Sequence, residues 1–210
     1  SHGRGIVTVS TVLPSDSVSA GRVQIMEANI RDYLSKRGVE ALVRVISAPD
    51  AFTGAERLVD AYGLGALVPN TILLGHSQDR SHRERFCGMV RHFHEHQRNV
   101  VVVRDVEGGF GNRQRIDIWW GGLQGNGALM LILGYLLSTG LIWKNAEVRL
   151  KMVVPTSDAA AEALPNLERV LEATRTGAIP EVLVADGRPF WETLLESSAE
   201  ADLVFMGMAT

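Results

Sequence analysis

Short apolar runs alternate with amphipathic stretches along this chain, and that alternation restricts the possible folds more than any other feature. Val100-Val101-Val102-Val103 and Ile72-Leu73-Leu74 are apolar at every position. Strands of this kind are buried on both faces, as in a parallel sheet that is covered by helices. Because parallel strands need long crossover connections, helices are expected between them. The sequence therefore predicts an α/β protein with mainly parallel, doubly wound sheets.

Periodicity and turn residues place the individual elements. The strands are expected at Gly5–Leu13, Val39–Ser47, Thr71–Leu74, Asn99–Arg104, Ile116–Trp120, Ala146–Val154, Glu181–Val184 and Leu203–Met206. The helices are expected at Ser19–Arg37, Thr53–Tyr62, Ser81–Glu95, Ala128–Leu137, Ala159–Thr174 and Pro189–Ser198. Ser17 or Ser19 is expected to cap the first helix.

A partial internal duplication predicts two similar halves. Val43-Arg44-Val45 recurs as Val148-Arg149-Leu150, and each copy is followed by a proline turn and a helix. The glycine turn Gly108–Asn112 lies between the halves. We therefore predict a first α/β subdomain over residues 4–110 and a second over residues 111–210. The first three residues resemble the remnant of a cleaved tag and are left out.

A long uncharged segment, Ile118–Trp143, raises the question of a membrane span. Glycines interrupt its first half and leave Ala128–Leu137 as the compact apolar block, whereas a bilayer span needs about 20 apolar residues. A helix that is apolar on all sides must be covered on every side. Ala128–Leu137 is therefore expected either inside the fold or against a second copy of the chain, and we favour a dimer interface.

Composition limits the remaining function classes. The single cysteine, Cys87, excludes an intramolecular disulfide and a cysteine-based zinc site, which fits a reducing cytoplasm. Cys87 lies between Phe86 and Met89 in a predicted helix, a setting typical of a core thiol. The formal net charge of −3 gives no general attraction to nucleic acid. A cluster of arginines, Arg80, Arg83, Arg85 and Arg91, is interpreted as a solvated helix face.

The segment Gly122–Gly127 lies between a predicted strand and helix, where phosphate-binding loops occur. It matches neither GxGxxG nor GxxxxGK[ST], and glycines serve a tight turn equally well. A tight turn is the favoured interpretation, and nucleotide binding is the alternative.

Three histidines, His92, His94 and His96, form the densest group of metal-binding residue types. On a helix, His92 and His96 share a face and could hold a metal, whereas His94 points elsewhere. The sequence shows no carboxylate that would complete such a site, so a solvated helix end is favoured. Neither GxSxG nor HExxH occurs, and no catalytic, cofactor-binding or metal-binding residue is assigned.

Three segments carry a resemblance to a known family. Ala61–Gly75 contains the pattern GLG…PNT…LG, Ile116–Trp120 reads IDIWW, and Trp143–Arg149 fits W-K-x-x-x-[IV]-R. These segments resemble the C-terminal cytoplasmic domain of cation–chloride cotransporters, the sodium–potassium–chloride and potassium–chloride family. The resemblance runs from about residue 55 to the end, and the earlier strands agree with the family only in layout.

The resemblance implies two subdomains like universal stress proteins, attached behind a twelve-helix transporter at the cytoplasmic face of the membrane. It implies a regulatory domain of an ion symporter that forms homodimers and has no catalysis or cofactor of its own. The expected partners are the protein's own transmembrane domain and a second copy, and not nucleic acid. The compact length resembles that of prokaryotic members.

The alternative is a free-standing tandem universal stress protein that binds a nucleotide. Gly108, Gly111 and Gly121 have the spacing of the ATP motif in universal stress proteins, but Gly122 replaces its Ser or Thr. ATP binding is therefore disfavoured.

Overall fold

A computed structural model of the protein describes residues 5–15, 19–62, 68–77, 79–104, 107–122 and 126–208. The chain divides into two compact units, Ser1–Asp105 and Val106–Thr210. Every strand pair in the described residues is parallel. The predicted α/β class is therefore confirmed, whereas the subdomain limits at residues 4–110 and 111–210 stay predictions.

The first unit contains four strands and three helices among its described residues, apart from a short 3-10 turn at Arg80–His82. In chain order they are β1 (Thr8–Pro14), α1 (Ala20–Ser35), β2 (Leu42–Ala48), α2 (Ala51–Ala61), β3 (Thr71–Gly75), α3 (Arg83–Glu95) and β4 (Asn99–Val103). β1 pairs with β2, and β3 pairs with β4. Ser19 caps α1, as one of the two predicted caps, and Ser17 lies outside the described residues.

Helix α2 packs closely against the pair of strands β1 and β2 at Gly54. A Cβ on Gly54 would meet Val12 and Ala48, so this position allows the helix to approach the strands closely. Asp50 caps the helix by accepting hydrogen bonds from the backbone N–H groups of Phe52 and Thr53. The hydrogen bond from Arg85 on α3, together with these contacts, lowers the pKa of Asp50 far below its ordinary range.

Helix α3 buries Met89 and Phe93 and exposes Cys87. The predicted core position of Cys87 is therefore wrong. Cys87 precedes Met89 by two positions, which is more than half a helical turn, so the two side chains point in different directions. The four arginines of the predicted solvated face are exposed, as expected.

The second unit contains one four-stranded sheet among its described residues. Its elements are β5 (Arg115–Trp119), α4 (Ala128–Ser138), β6 (Glu147–Val154), α5 (Ser157–Thr174), β7 (Ile179–Val184), α6 (Phe190–Ser197) and β8 (Leu203–Met206). The strand order is β7-β6-β5-β8. The chain steps outward from β5 to β7 and then returns to the other side of β5, so the sheet is doubly wound, as predicted.

The core of the second unit joins the central strands to α4 and α5. Its buried members are Ile116, Ile118, Met130, Leu131, Trp143, Val148, Leu150, Leu167 and Leu171. Trp143, from the W-K segment, packs edge-on against Phe110 with ring centroids 6.0 Å apart. Across the ranges that the structure describes, no helix is long and apolar enough to cross a membrane.

Candidate functional site

The IDIWW segment forms β5 and places a carboxylate in the middle of the sheet. Asp117 is fully buried between the buried Ile116 and Ile118. Its two carboxylate oxygens accept hydrogen bonds from Arg149 on β6, Nε at 2.7 Å and Nη2 at 2.9 Å. This two-point contact with a guanidinium is the strongest geometry for an ion pair.

Two further groups complete the surroundings of Asp117. Ser198 Oγ donates to the carboxylate at 2.6 Å, and Lys151 Nζ lies 3.2 Å from it. Lys151 is itself fully buried and donates to the carbonyl and hydroxyl oxygens of Ser197, each at 2.6 Å. Trp119 Nε1 donates to Ser198 Oγ at 3.1 Å. The network therefore connects β5, β6 and the end of α6.

The network contains the residue types of a serine–lysine catalytic site, but its geometry is that of a structural anchor. Lys151 donates to the Ser197 hydroxyl and lies 3.2 Å from the Asp117 carboxylate, so it acts as a donor and not as a base toward that serine. The Ser198 hydroxyl donates to Asp117 and accepts from Trp119. A buried charge is tolerated only when it is paired and hydrogen-bonded. Sequence analysis missed this network, although Asp117 and Lys151 within apolar strands are the signal that could have revealed it.

A second carboxylate organises the glycine turn before β5. Asp202 accepts hydrogen bonds from the backbone N–H groups of Asn112, Gln114 and Arg115 at 2.8–3.0 Å. A Cβ on Gly111, whose φ is +47°, would collide with the Asp202 carboxylate. Gly111 is one of the glycines that have the spacing of the ATP motif. Here its missing side chain allows the Asp202 carboxylate to lie against the turn.

The electrostatics of Asp202 follow from this turn. Partial burial raises its pKa, but hydrogen bonds from the backbone N–H groups of residues 112–115 outweigh that effect. The net result is a pKa below the ordinary value for an aspartate.

The segment Gly122–Gly127, interpreted as a tight turn with a phosphate loop as the alternative, is only partly described, because residues 123–125 lie outside the described ranges. A Cβ on Gly127 would collide with the carbonyl oxygen of Gly122 and approach Trp120, so a glycine is needed there for close packing. Asn126 Nδ2 donates to the carbonyl of Met208 at 3.0 Å and joins the segments that follow β5 and β8. The tight turn stays the favoured prediction for this segment, and nucleotide binding stays the alternative.

The histidine group acquires a carboxylate that the sequence did not reveal. Asp60, near the end of α2, lies with Oδ1 2.8 Å from Nε2 of His92 and 4.0 Å from Nε2 of His96. The potential ligand atoms of these three residues all lie within 4.8 Å of one another. His94 is exposed and outside the cluster, as expected from its position on the helix.

Helix α4 covers the sheet with one face and leaves its other face open. Met130, Leu131 and Gly134 are buried, whereas Ile132, Tyr135 and Leu136 are exposed by 55%, 40% and 40%. The exposed residues have helical spacing of three and four, so they form one stripe. We call Ile132, Tyr135 and Leu136 the α4 stripe. We expected α4 to be covered on every side. Within this chain, the side that carries the α4 stripe is uncovered.

Comparison with known proteins places the chain in a family. A crystal structure of the cytoplasmic domain of a prokaryotic cation chloride cotransporter matches with a TM-score of 0.62. The match covers 86% of this chain and 68% of that chain at 16% identity, so it shows a shared fold.

The family model of solute carrier family 12 matches residues 2–114. The match includes the GLG…PNT segment and also the strands before residue 55, so the family likeness begins earlier than the sequence motifs indicated. It covers more than half of the 210 residues. The resemblance inferred from the motifs is confirmed, and the chain belongs to solute carrier family 12.

Proposed function

We propose that this chain is the cytoplasmic regulatory and dimerisation domain of a cation–chloride cotransporter and has no catalysis of its own. Family membership carries the proposal, and the fold shared with a cytoplasmic domain of such a transporter supports it. In this proposal the chain lies at the cytoplasmic face of the membrane. Its partners are its own transmembrane domain and a second copy of itself.

The α4 stripe supports dimerisation. The helix carries no charged residue, and Ile132 and Leu136 are aliphatic, so most of the exposed surface of the stripe is apolar. Exposed apolar stripes of this kind mark interaction surfaces. A second copy of the same stripe is a suitable partner, because a two-fold axis brings identical apolar surfaces together. We therefore assign the stripe to the homodimer.

Sedimentation of the 210-residue chain tests this assignment. Ile132→Glu puts a charge into the stripe and should shift a dimer toward monomer. Leu195→Glu is the matched control, because Leu195 is an exposed leucine on α6 of the same unit and should leave the dimer unchanged. A wild-type chain that sediments as a monomer at high concentration would refute the dimer. Equal dissociation by both variants would refute the role of the stripe.

The regulatory part of the proposal concerns coupling to transport. A dimer of cytoplasmic domains would fix the spacing of two transmembrane units, and a change in the domain would then bias their equilibrium. Flux through the whole transporter, with and without this domain, measures that coupling. Unchanged flux and unchanged regulation after its deletion would contradict the regulatory role, even if the dimer itself is found.

A further inference from the structure

We propose that Asp60, His92 and His96 form a divalent metal site in the first unit, with Zn²⁺ as the ion it fits best. The ligands would be a carboxylate oxygen of Asp60 and the Nε2 atoms of His92 and His96. Two imidazoles and one carboxylate are a donor set that zinc accepts, with a water molecule in the fourth position. This inference does not depend on the function proposed above.

The donor atoms are close to the arrangement that zinc requires. Ligand atoms about 2.0 Å from a tetrahedral zinc lie about 3.3 Å from one another. Asp60 Oδ1 lies 2.8 Å from His92 Nε2 and 4.0 Å from His96 Nε2, one distance shorter and the other longer than this value. The ligand atoms of all three residues lie within 4.8 Å of one another. Accommodating the ion would therefore need the shortest distance to open by about 0.5 Å and the longer ones to close by up to about 1.5 Å.

A hydrogen bond to a backbone carbonyl at the C-terminal end of α3 fixes the tautomer of His96. His96 Nδ1 lies 2.8 Å from the carbonyl oxygen of His92, and because a carbonyl can only accept, Nδ1 must carry the proton. In the neutral ring, Nε2 then has a free lone pair on the side of Asp60. A hydrogen bond from Nδ1 to a backbone carbonyl is the usual way in which a metal-binding histidine is oriented.

This arrangement leaves two acceptors facing each other. The lone pair of His96 Nε2 and Asp60 Oδ1 are 4.0 Å apart, which is too far for a hydrogen bond between them. A cation between them would attract both the lone pair of His96 Nε2 and the carboxylate oxygen of Asp60. His92 Nε2 donates to Asp60 in the metal-free state, so zinc would bind there only after the Nε2 proton has moved to Nδ1 through exchange with water. The neutral ring keeps one proton throughout, and its Nε2 lone pair goes to the metal.

The scaffold around the cluster holds both helices in place. Helix α3 ends in a Schellman arrangement: Gln97 has a φ of 59°, and the N–H of Arg98 donates to the carbonyl of Phe93 at 3.0 Å. Phe93 is fully buried, directly beside His92. At the other end of the two helices, Arg85 binds Asp50 at 2.7 Å. The ligands therefore project from a fixed pair of helices.

The position of the site suggests what the ion would do. The ligand side chains are partly exposed, so an ion from solution has access to them. Asp60 is on α2 and both histidines are on α3, so the ion would join the ends of the two helices. Asp60 also lies just before the Gly63-Leu64-Gly65 motif in the sequence. Zinc binding would thus stabilise the packing of α2 against α3 in the first unit.

Isothermal titration calorimetry of the 210-residue chain with zinc chloride tests the proposal. The wild-type chain should bind one zinc ion at this site. Asp60→Asn and His96→Gln should each weaken binding on the order of tenfold or more, because each removes one of three ligands. His94→Gln is the matched control and should bind like the wild type, since His94 is on the same helix but outside the cluster.

Thermal unfolding gives a second readout. Zinc at a concentration that saturates the wild type should raise the melting temperature of the wild type and of His94→Gln equally, and raise that of Asp60→Asn by less. Far-UV circular dichroism of each variant verifies folding. Absence of one-to-one zinc binding in the wild type would overturn the proposal. Equal weakening by His94→Gln and His96→Gln would also overturn it, because it would show diffuse binding along the helix.

Discussion

Replacement of the buried Asp117 by Asn should destabilise the second unit strongly. The substitution keeps the shape of the side chain and removes its charge. It also turns an NH₂ donor toward donor groups of Arg149 and Lys151, of which Lys151 is fully buried. Removing one partner of a buried ion pair costs about 3 to 5 kcal/mol, because the remaining charge loses its buried counter-charge. Among the described residues, Lys151 keeps only the partly exposed Glu181, 3.3 Å away, as a charged partner.

Tryptophan fluorescence measures this loss selectively. The four tryptophans, Trp119, Trp120, Trp143 and Trp191, all lie in the second unit. With a urea dependence of about 2 kcal/mol per M, a loss of about 4 kcal/mol would lower the unfolding midpoint by about 2 M. The urea midpoint followed by fluorescence should therefore be much lower for Asp117→Asn than for the wild type.

Glu196→Gln is the matched control, since it is the same change from carboxylate to amide in an exposed pair. Glu196 Oε2 lies 2.8 Å from Arg188 Nη1, with both side chains about half exposed or more. Exposed pairs contribute about 0 to 1 kcal/mol, so the control should barely move the midpoint. If Asp117→Asn shifts the midpoint no more than Glu196→Gln, the reasoning about the buried network is refuted.

Two further predictions concern helix packing and pH. Gly54→Ala should destabilise the chain by roughly 1–3 kcal/mol because its Cβ would meet Val12. Gly88→Ala on α3 meets nothing and should stabilise it by roughly 0.5–1 kcal/mol; circular dichroism melts that move in the same direction would contradict this contrast. The pKa of Asp202 is lower in the folded chain than its ordinary value of about 3.9. The stability that its carboxylate contributes is therefore fully present above about pH 3.9 and is lost as the pH falls through the lowered pKa. The stability gap between wild type and Asp202→Asn should therefore narrow in acid, and a gap independent of pH would count against it.

The strands and helices were predictable because their signals are local. Apolar runs such as Val100–Val103 and helical periodicity depend on neighbouring residues alone. The parallel arrangement followed from the helices between the strands. The error at Cys87 arose from sequence neighbours, Phe86 and Met89, instead of from the helical face that Met89 and Phe93 define.

The sites were harder to predict because their partners are distant in sequence. Asp60 meets His92 across 32 positions, and Asp117 meets Ser198 across 81. No local pattern records such contacts. What the sequence did show is half of each site: the histidine pair at helical spacing, and a lone carboxylate in an apolar strand.

The strand order of the second unit has a consequence for its biosynthesis. β8, the last strand among the described residues of that unit, pairs with β5, the first, with Ile116 opposite Leu203. Until a ribosome has released β8, one edge of β5 has no partner. Ser198, the partner of Asp117, is released only shortly before β8. Contacts of this range form late and slowly. A chain that stops before Leu203 would expose an unpaired strand edge, which is a template for aggregation. Chaperones and proteases can recognise such an exposed edge in truncated copies.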